Sequence, residues 1–183
     1  MQIRIIFLIL FIFSSFAFKN INACTTAIIG KEASKKGVPI LWKNRDTSYL
    51  SNKVVYVKEK PYSYVGVINA KSISGRSVFA GLNSAGFAIM NSVAYNLPKI
   101  PDESHDREGR IMAESLRVCR TLDDFEQYIK RNIGSTLGSW ANFGVIDADG
   151  NSAIFEVHNN GYKKLDTKNS KNNYYINANF LQF

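Results

Sequence analysis

Few side chains in this sequence can attack a carbonyl or carry a proton near neutral pH, and the most informative is Cys24, which directly follows Ala23. If the bond between Ala23 and Cys24 is cut, a thiol and a primary amine share one residue. In water an α-amino group titrates at about 7.7 to 8.0 and a thiol at about 8.5, so a nucleophile and a base arrive together. The amine can take the thiol proton, directly or through water, and return it to a leaving amine. No histidine is required, which suits a chain holding only His105 and His158. His105 lies in the loop Pro101–Asp106, and His158 ends a strand before Asn159-Asn160-Gly161. Both read as surface positions, and no metal-ligand spacing surrounds them. Neither a metal nor a cofactor is expected.

A second group of polar residues falls where a hairpin would return the chain to Cys24. If Gly30 and Gly37 flank the turn, antiparallel register puts Cys24 roughly opposite Lys43, so that Asn44, Arg45 and Asp46 gather beside the new terminus. A carboxylate at Asp46 can hold and orient the amine. A cation at Lys43 or Arg45 can favour a thiolate and bind a polar or acidic substrate group. An ordinary charged strand end has the same composition. Asn91 and Asn179, each near a strand end, are candidate donors to a developing oxyanion, although most asparagines in such places only form turns.

These residues need a scaffold, and the hydrophobic pattern supplies one. Thr25 to Gly30, Val38 to Asn44, Lys53 to Glu59, Tyr64 to Asn69, Arg76 to Leu82 and Gly86 to Ser92 are short runs rich in Val, Ile, Phe and Tyr, bounded by Gly, Ser, Asn or Lys, and are expected to be strands. From Arg107 the period becomes helical through Ile111, Met112, Ser115, Leu116 and Cys119. Thr121 has the chemistry of an N-cap for a second helix carrying Leu122, Phe125, Tyr128 and Ile129. Strand character returns at Trp140 to Asp147, Asp149-Gly150 signals a hairpin into Ser152 to His158, and Tyr174 to Asn177 closes the series after a polar loop at Asp166 to Asn173. The expected class is a layered α+β domain. Cys119, beside Met112 and Leu116, reads as a buried core thiol. A Cys24–Cys119 disulfide is the competing use of both cysteines and would disable the nucleophile.

Residues 1–23 read as a secretory signal. A cation at Arg4 precedes the apolar run Ile5 to Phe18, and a polar stretch ends at Ala23. The run is shorter than the about 20 residues of a spanning helix, so no stable membrane insertion is expected after its removal. The expected location is secreted or periplasmic, with residues 24–183 forming one domain. Losing Arg4 and Lys19 takes the formal charge from +8 to +6. The remaining lysines are scattered with no basic helix among aromatics, which argues against a nucleic-acid partner. A homo-oligomer stays open. The sequence stops at Phe183 directly after a strand, which reads as a fragment.

Taken together, Cys24-Thr25-Thr26, Trp42-Lys43-Asn44-Arg45-Asp46, Gly81-Leu82-Asn83-Ser84-Ala85-Gly86-Phe87 and Asn177-Ala178-Asn179-Phe180 resemble the amino-terminal-nucleophile hydrolases of the choloylglycine hydrolase and acyl-CoA:6-aminopenicillanate acyltransferase group. The resemblance implies the αββα sandwich of that superfamily and catalysis on linear amide C–N bonds. It implies Cys24 as nucleophile and base, Asp46 as the residue positioning the amine, and Asn91 and Asn179 at the family's two asparagine positions, the first assisting the oxyanion. Many relatives have Arg-Asn-x-Asp where this chain has Lys43-Asn44-Arg45-Asp46, so the cation is Lys43 or is displaced to Arg45. Lys lacks the bidentate fork of Arg. The family's late arginine and the rest of the sandwich would fall beyond Phe183, which puts the activity of these 183 residues alone in question. The opening also looks like the related Cys-type dipeptidases. The small-molecule substrate is therefore a fatty-acyl amide, a bile-salt conjugate, a penicillin-type side chain or a peptide. A rival of another class is a lipoprotein, since Ile21-Asn22-Ala23-Cys24 approximates a lipobox; a lipidated Cys24 would tether a binding module to a membrane.

Overall fold

The computed structural model describes residues 24–97 and 106–178, so the signal segment, His105 and Asn179 lie outside the described residues. Among the described residues ten strands and two α-helices build two antiparallel sheets and one helical layer. The large sheet is a meander in which each strand pairs with the next: β3 (Asn52–Val57), β4 (Tyr64–Asn69), β5 (Ala80–Asn83), β6 (Ala88–Val93), β7 (Trp140–Ile146), β8 (Ser152–His158) and β9 (Gly161–Asp166). The small sheet places β1 (Thr25–Ile29) between β2 (Ile40–Asn44) and β10 (Tyr174–Asn177).

Alternation along the central strands explains the layering. On β6, Ile89 belongs to the core beneath the helices α1 (Glu108–Val118) and α2 (Leu122–Asn132), while the next residue, Met90, packs with Ile28 and Ile154 under the small sheet. β7 and β8 are buried along nearly their whole length because both faces are covered. On the helical side Phe125 is fully buried, with ring centroids 5.0 Å from Phe155, 5.8 Å from Phe143 and 6.2 Å from Phe87. Burying a ring of this kind contributes about 1.5 to 3 kcal/mol. On the other side Gly144 admits the small sheet: a Cβ there would lie 2.9 Å from Ile28 Cγ1 and 3.0 Å from Met90 Cε.

The expected helix start at Thr121 is present as a capping box. Its hydroxyl accepts from Asp124 N at 3.2 Å, and Asp124 Oδ2 accepts from Thr121 N at 2.9 Å. Cys119 is the expected buried core thiol, and both cysteines are free rather than bridged.

Three expectations change. β9 falls where no element was read, because the residues it turns toward the helices are Tyr162 and Lys164; their polar ends meet Glu126 of α2 at 2.6 and 3.0 Å. β5 begins at Ala80 rather than Arg76, since Val78 N turns aside to bond Gly109 O of α1. The first hairpin is longer than a Gly30–Gly37 turn: a 3-10 turn at Lys31–Ala33 intervenes, β2 starts at Ile40, and Thr26 rather than Cys24 faces Lys43. A two-residue slip keeps every side chain on its expected face and moves Cys24 toward Arg45.

The described layers are thus helix, sheet, sheet. The outer face of the small sheet carries Ile40, Trp42, Tyr174 and Ile176, all exposed. Among the described residues no helix is long and apolar enough to cross a membrane.

Candidate active site

Cys24 stands half-buried at the head of β1, the central strand of the small sheet, and its Sγ lies 3.8 Å from the main-chain carbonyl of Asp46. The pairing of β1 with β2 is what delivers this contact, because Thr25 opposite Asn44 leaves residues 45 and 46 to run past the strand end. Cys24, Lys43, Arg45 and Asp46 are therefore brought together as expected, although Asp46 is exposed and meets the thiol through its backbone.

The two cations play different parts. Arg45 is anchored: Nη1 donates to Tyr49 O at 3.2 Å and Asn52 Oδ1 at 3.0 Å, Nη2 donates to Asn69 Oδ1 at 3.3 Å, and the guanidinium stacks 3.7 Å from the Phe79 ring centroid. It ties the chain after β2 to the edge of the large sheet. Lys43 points inward, to the gap left where β5 begins. Ala80 pairs with Met90, so beyond that point β6 has only β7 beside it. Through the gap Lys43 Nζ donates to Phe79 O at 3.2 Å and to Asn91 Oδ1 at 3.0 Å. Burial lowers its pKa to about 8; the neighbouring Arg45 lowers it too, while the charges of Cys24 and Glu108 act to raise it.

Asn91 is the junction of the site. Its Nδ2 donates to Glu108 Oε2 at 2.9 Å, and Glu108 Oε1 accepts from Trp140 N at 3.3 Å. Glu108 is only 3% exposed, at the first turn of α1. Burial pushes its pKa up to about 8 and nearby Asp106 pushes the same way, against the Trp140 N–H, the Asn91 amide and Lys43. Sequence reasoning missed Glu108, because an acid in the first turn of a helix is what the macrodipole favours anyway. Asn83 of the Gly81–Phe87 motif is structural. Its Nδ2 donates to Leu116 O at 2.8 Å and Cys119 O at 2.7 Å, and its Oδ1 accepts from Ala85 N and Phe87 N, both at 3.0 Å.

Beside Lys43 a trough of about 420 Å³ runs along the part of the large sheet that the small sheet leaves uncovered. Leu41, Val54, Val65, Leu82 and Met90 are among its walls, and Lys43 is its polar end. Among the described residues no group of His, Cys, Asp and Glu could hold a metal ion.

This architecture, with a cysteine heading the central strand of the smaller sheet, has the fold of the amino-terminal-nucleophile hydrolases of the choloylglycine hydrolase group. The N-acylethanolamine-hydrolyzing acid amidase ortholog of Caenorhabditis elegans superimposes with a TM-score of 0.66 at 13% identity, over 87% of this chain and 71% of that one. A variant of the conjugated bile acid hydrolase of Clostridium perfringens gives a TM-score of 0.53 at 12% identity, over 78% of this chain and 50% of that one. A second mutant of that hydrolase gives 0.52 at 13%, with coverages of 79% and 50%. At these identities the likeness is one of fold, and the chain spans about half the length of the bile acid hydrolase. No family model and no curated protein matches the chain.

Proposed function

We propose that this chain belongs to an amide hydrolase in which Cys24, released as the amino-terminal residue, attacks a linear amide. The observation that carries the reading is the assembly of Cys24, Lys43, Arg45 and Asp46 at one end of β1 in a fold shared with amide hydrolases. The freed amine takes the thiol proton, and sulfur attacks the carbonyl carbon. The C–N bond breaks as the proton passes to the leaving amine, giving a thioester. Water, deprotonated by the same amine, then attacks the thioester, and acid and thiol are released. Asn91, Asn179 and the charge of Lys43 are the groups we assign to the oxyanion and the substrate carbonyl, and Asp46 to orientation of the amine.

The apolar trough beside Lys43 supports an acyl amide over a dipeptide, since its walls offer contact to hydrocarbon and its polar atoms are few. Export with cleavage after Ala23 supplies the amine the mechanism needs. The test combines intact mass of the secreted protein with turnover of a panel of acyl amides and small peptides by the processed wild type, Cys24→Ser and Cys24→Ala. The expected result is an amino terminus at Cys24 and loss of turnover in the alanine variant. A diacylglyceryl mass on Cys24, or equal turnover by all three proteins, refutes the reading.

A further inference from the structure

The Asn91 side chain is held from both ends by an ammonium and a carboxylate that, in their charged forms, cannot exchange roles. Lys43 Nζ donates to Oδ1 at 3.0 Å, and an ammonium has no lone pair with which to accept. Glu108 Oε2 receives Nδ2 at 2.9 Å, and Glu108 Oε1 is occupied by Trp140 N at 3.3 Å, so an ionised Glu108 has acceptors only. Flipping the amide would set its N–H groups against a cation and its oxygen against a carboxylate. One N–H of Asn91 is committed to Glu108, and among the described residues the other makes no hydrogen bond.

We propose that Glu108 is a positioning residue of the site, fixing the Asn91 amide so that its second N–H is presented to the substrate oxygen. The proposal rests on the amide-hydrolase reading and adds to it a residue outside the motifs that suggested that reading. The local backbone supports a placed carboxylate rather than an incidental one. Gly109 lets the start of α1 lie against Ser77 and Val78, with Val78 N bonded to Gly109 O at 3.0 Å, and Asp106 Oδ1 accepts from Glu108 N at 3.0 Å. The charged groups facing Glu108 are Lys43 from β2 and Asp106 from its own approach, and Lys43 in turn feels Cys24 and Arg45.

The pH dependence separates positioning from mere packing. Glu108 is neutral below its raised pKa of about 8 and ionised above it, and Lys43, lowered to about 8, loses its charge over the same range, so the comparison is made in the wild-type and the Lys43→Met backgrounds alike. Glutamine copies the neutral form in shape. In the processed protein the ratio of wild-type to E108Q kcat is therefore expected near unity at acid pH, rising to about tenfold at alkaline pH, with KM changed less than kcat; a whole oxyanion donor is worth about 100- to 1,000-fold. A ratio that is flat with pH, or that falls as pH rises, overturns the proposal. A second measurement needs no Glu108 variant: the Asn91 side-chain amide resonances of ¹⁵N-labelled Cys24→Ala/Lys43→Met protein, in which Lys43 cannot titrate, assigned against Asn91→Ala, should shift as Glu108 titrates. Resonances that stay still across that range overturn the proposal. Full turnover by Cys24→Ala defeats the hydrolase reading instead, and the resonance shift still reports whether Glu108 governs Asn91.

Discussion

Replacing Asn83 by alanine removes four hydrogen bonds at once. Its amide nitrogen serves Leu116 O and Cys119 O, at the carboxyl end of α1, and its oxygen serves Ala85 N and Phe87 N in the β5–β6 turn. Asn83 is 5% exposed, and three of these bonds are buried. A typical bond contributes about 1 kcal/mol net, and a buried group left unpaired costs about 1 to 3 kcal/mol. The two carbonyls lie at a helix end, where backbone relaxation and entering water recover part of the loss. The expected destabilisation is about 3 kcal/mol, read from urea unfolding of the processed protein. For a domain of this size that corresponds to a fall in Tm of about 6 to 12 °C. Asn83→Asp should be no better, since it keeps the acceptor, loses both donors, and sets a negative charge at the unfavourable end of α1. A loss below about 1 kcal/mol for the alanine variant would show that the four bonds do not join helix to turn as described.

Four further outcomes follow from the same physics. Gly144→Val should cost about 1 to 3 kcal/mol by chemical denaturation, because the new side chain meets Ile28 and Met90 where the sheets touch. Thr121→Ala should cost about 1 kcal/mol through loss of the capping box, measured the same way. Glu126 has its pKa depressed to about 2 by the Tyr162 hydroxyl, with Lys130 and Lys164 adding to the effect. Its stabilisation is complete above its ordinary value of 4.5 and is lost as pH falls toward 2, so Glu126→Gln should lower stability above pH 4.5 and flatten the acid unfolding curve, with variant and wild type converging near pH 2. Lys43→Met should reduce kcat/KM by at least tenfold while the protein still folds, since a methionine fills the gap by Phe79 but donates nothing to Asn91. Unchanged kcat/KM in that variant would remove Lys43 from the site.

The sequence made the strands of the two central layers legible because their apolar runs are strong and their bounding turns are rich in glycine and asparagine. Thr121 announced its helix through a side chain that only a cap uses well. β9 was not legible, because Tyr162 and Lys164 look solvent-facing until Glu126 is placed opposite them. The cluster at Lys43 to Asp46 could be read because a hairpin links it to Cys24 through local pairing. The register error came from the turn, whose length depends on how Lys31–Ala33 coils. Glu108 could not be found from spacing: it reaches Asn91 only through the packing of α1 on β6, a relation between elements that no local pattern encodes.

The strand that follows Cys24 lies between one neighbour that comes directly after it and another that is far along the chain. Thr26 pairs with Asn177, and the Thr26 hydroxyl bonds the Asn177 carbonyl across 151 positions. Closing a loop of that length costs about 4 kcal/mol of chain entropy, which cannot be recovered until the distant segment exists. A polypeptide emerging head first during synthesis would present its thiol long before the flank that seats it had followed. Assembly of the reactive end would then wait on passage of the chain as far as Asn177.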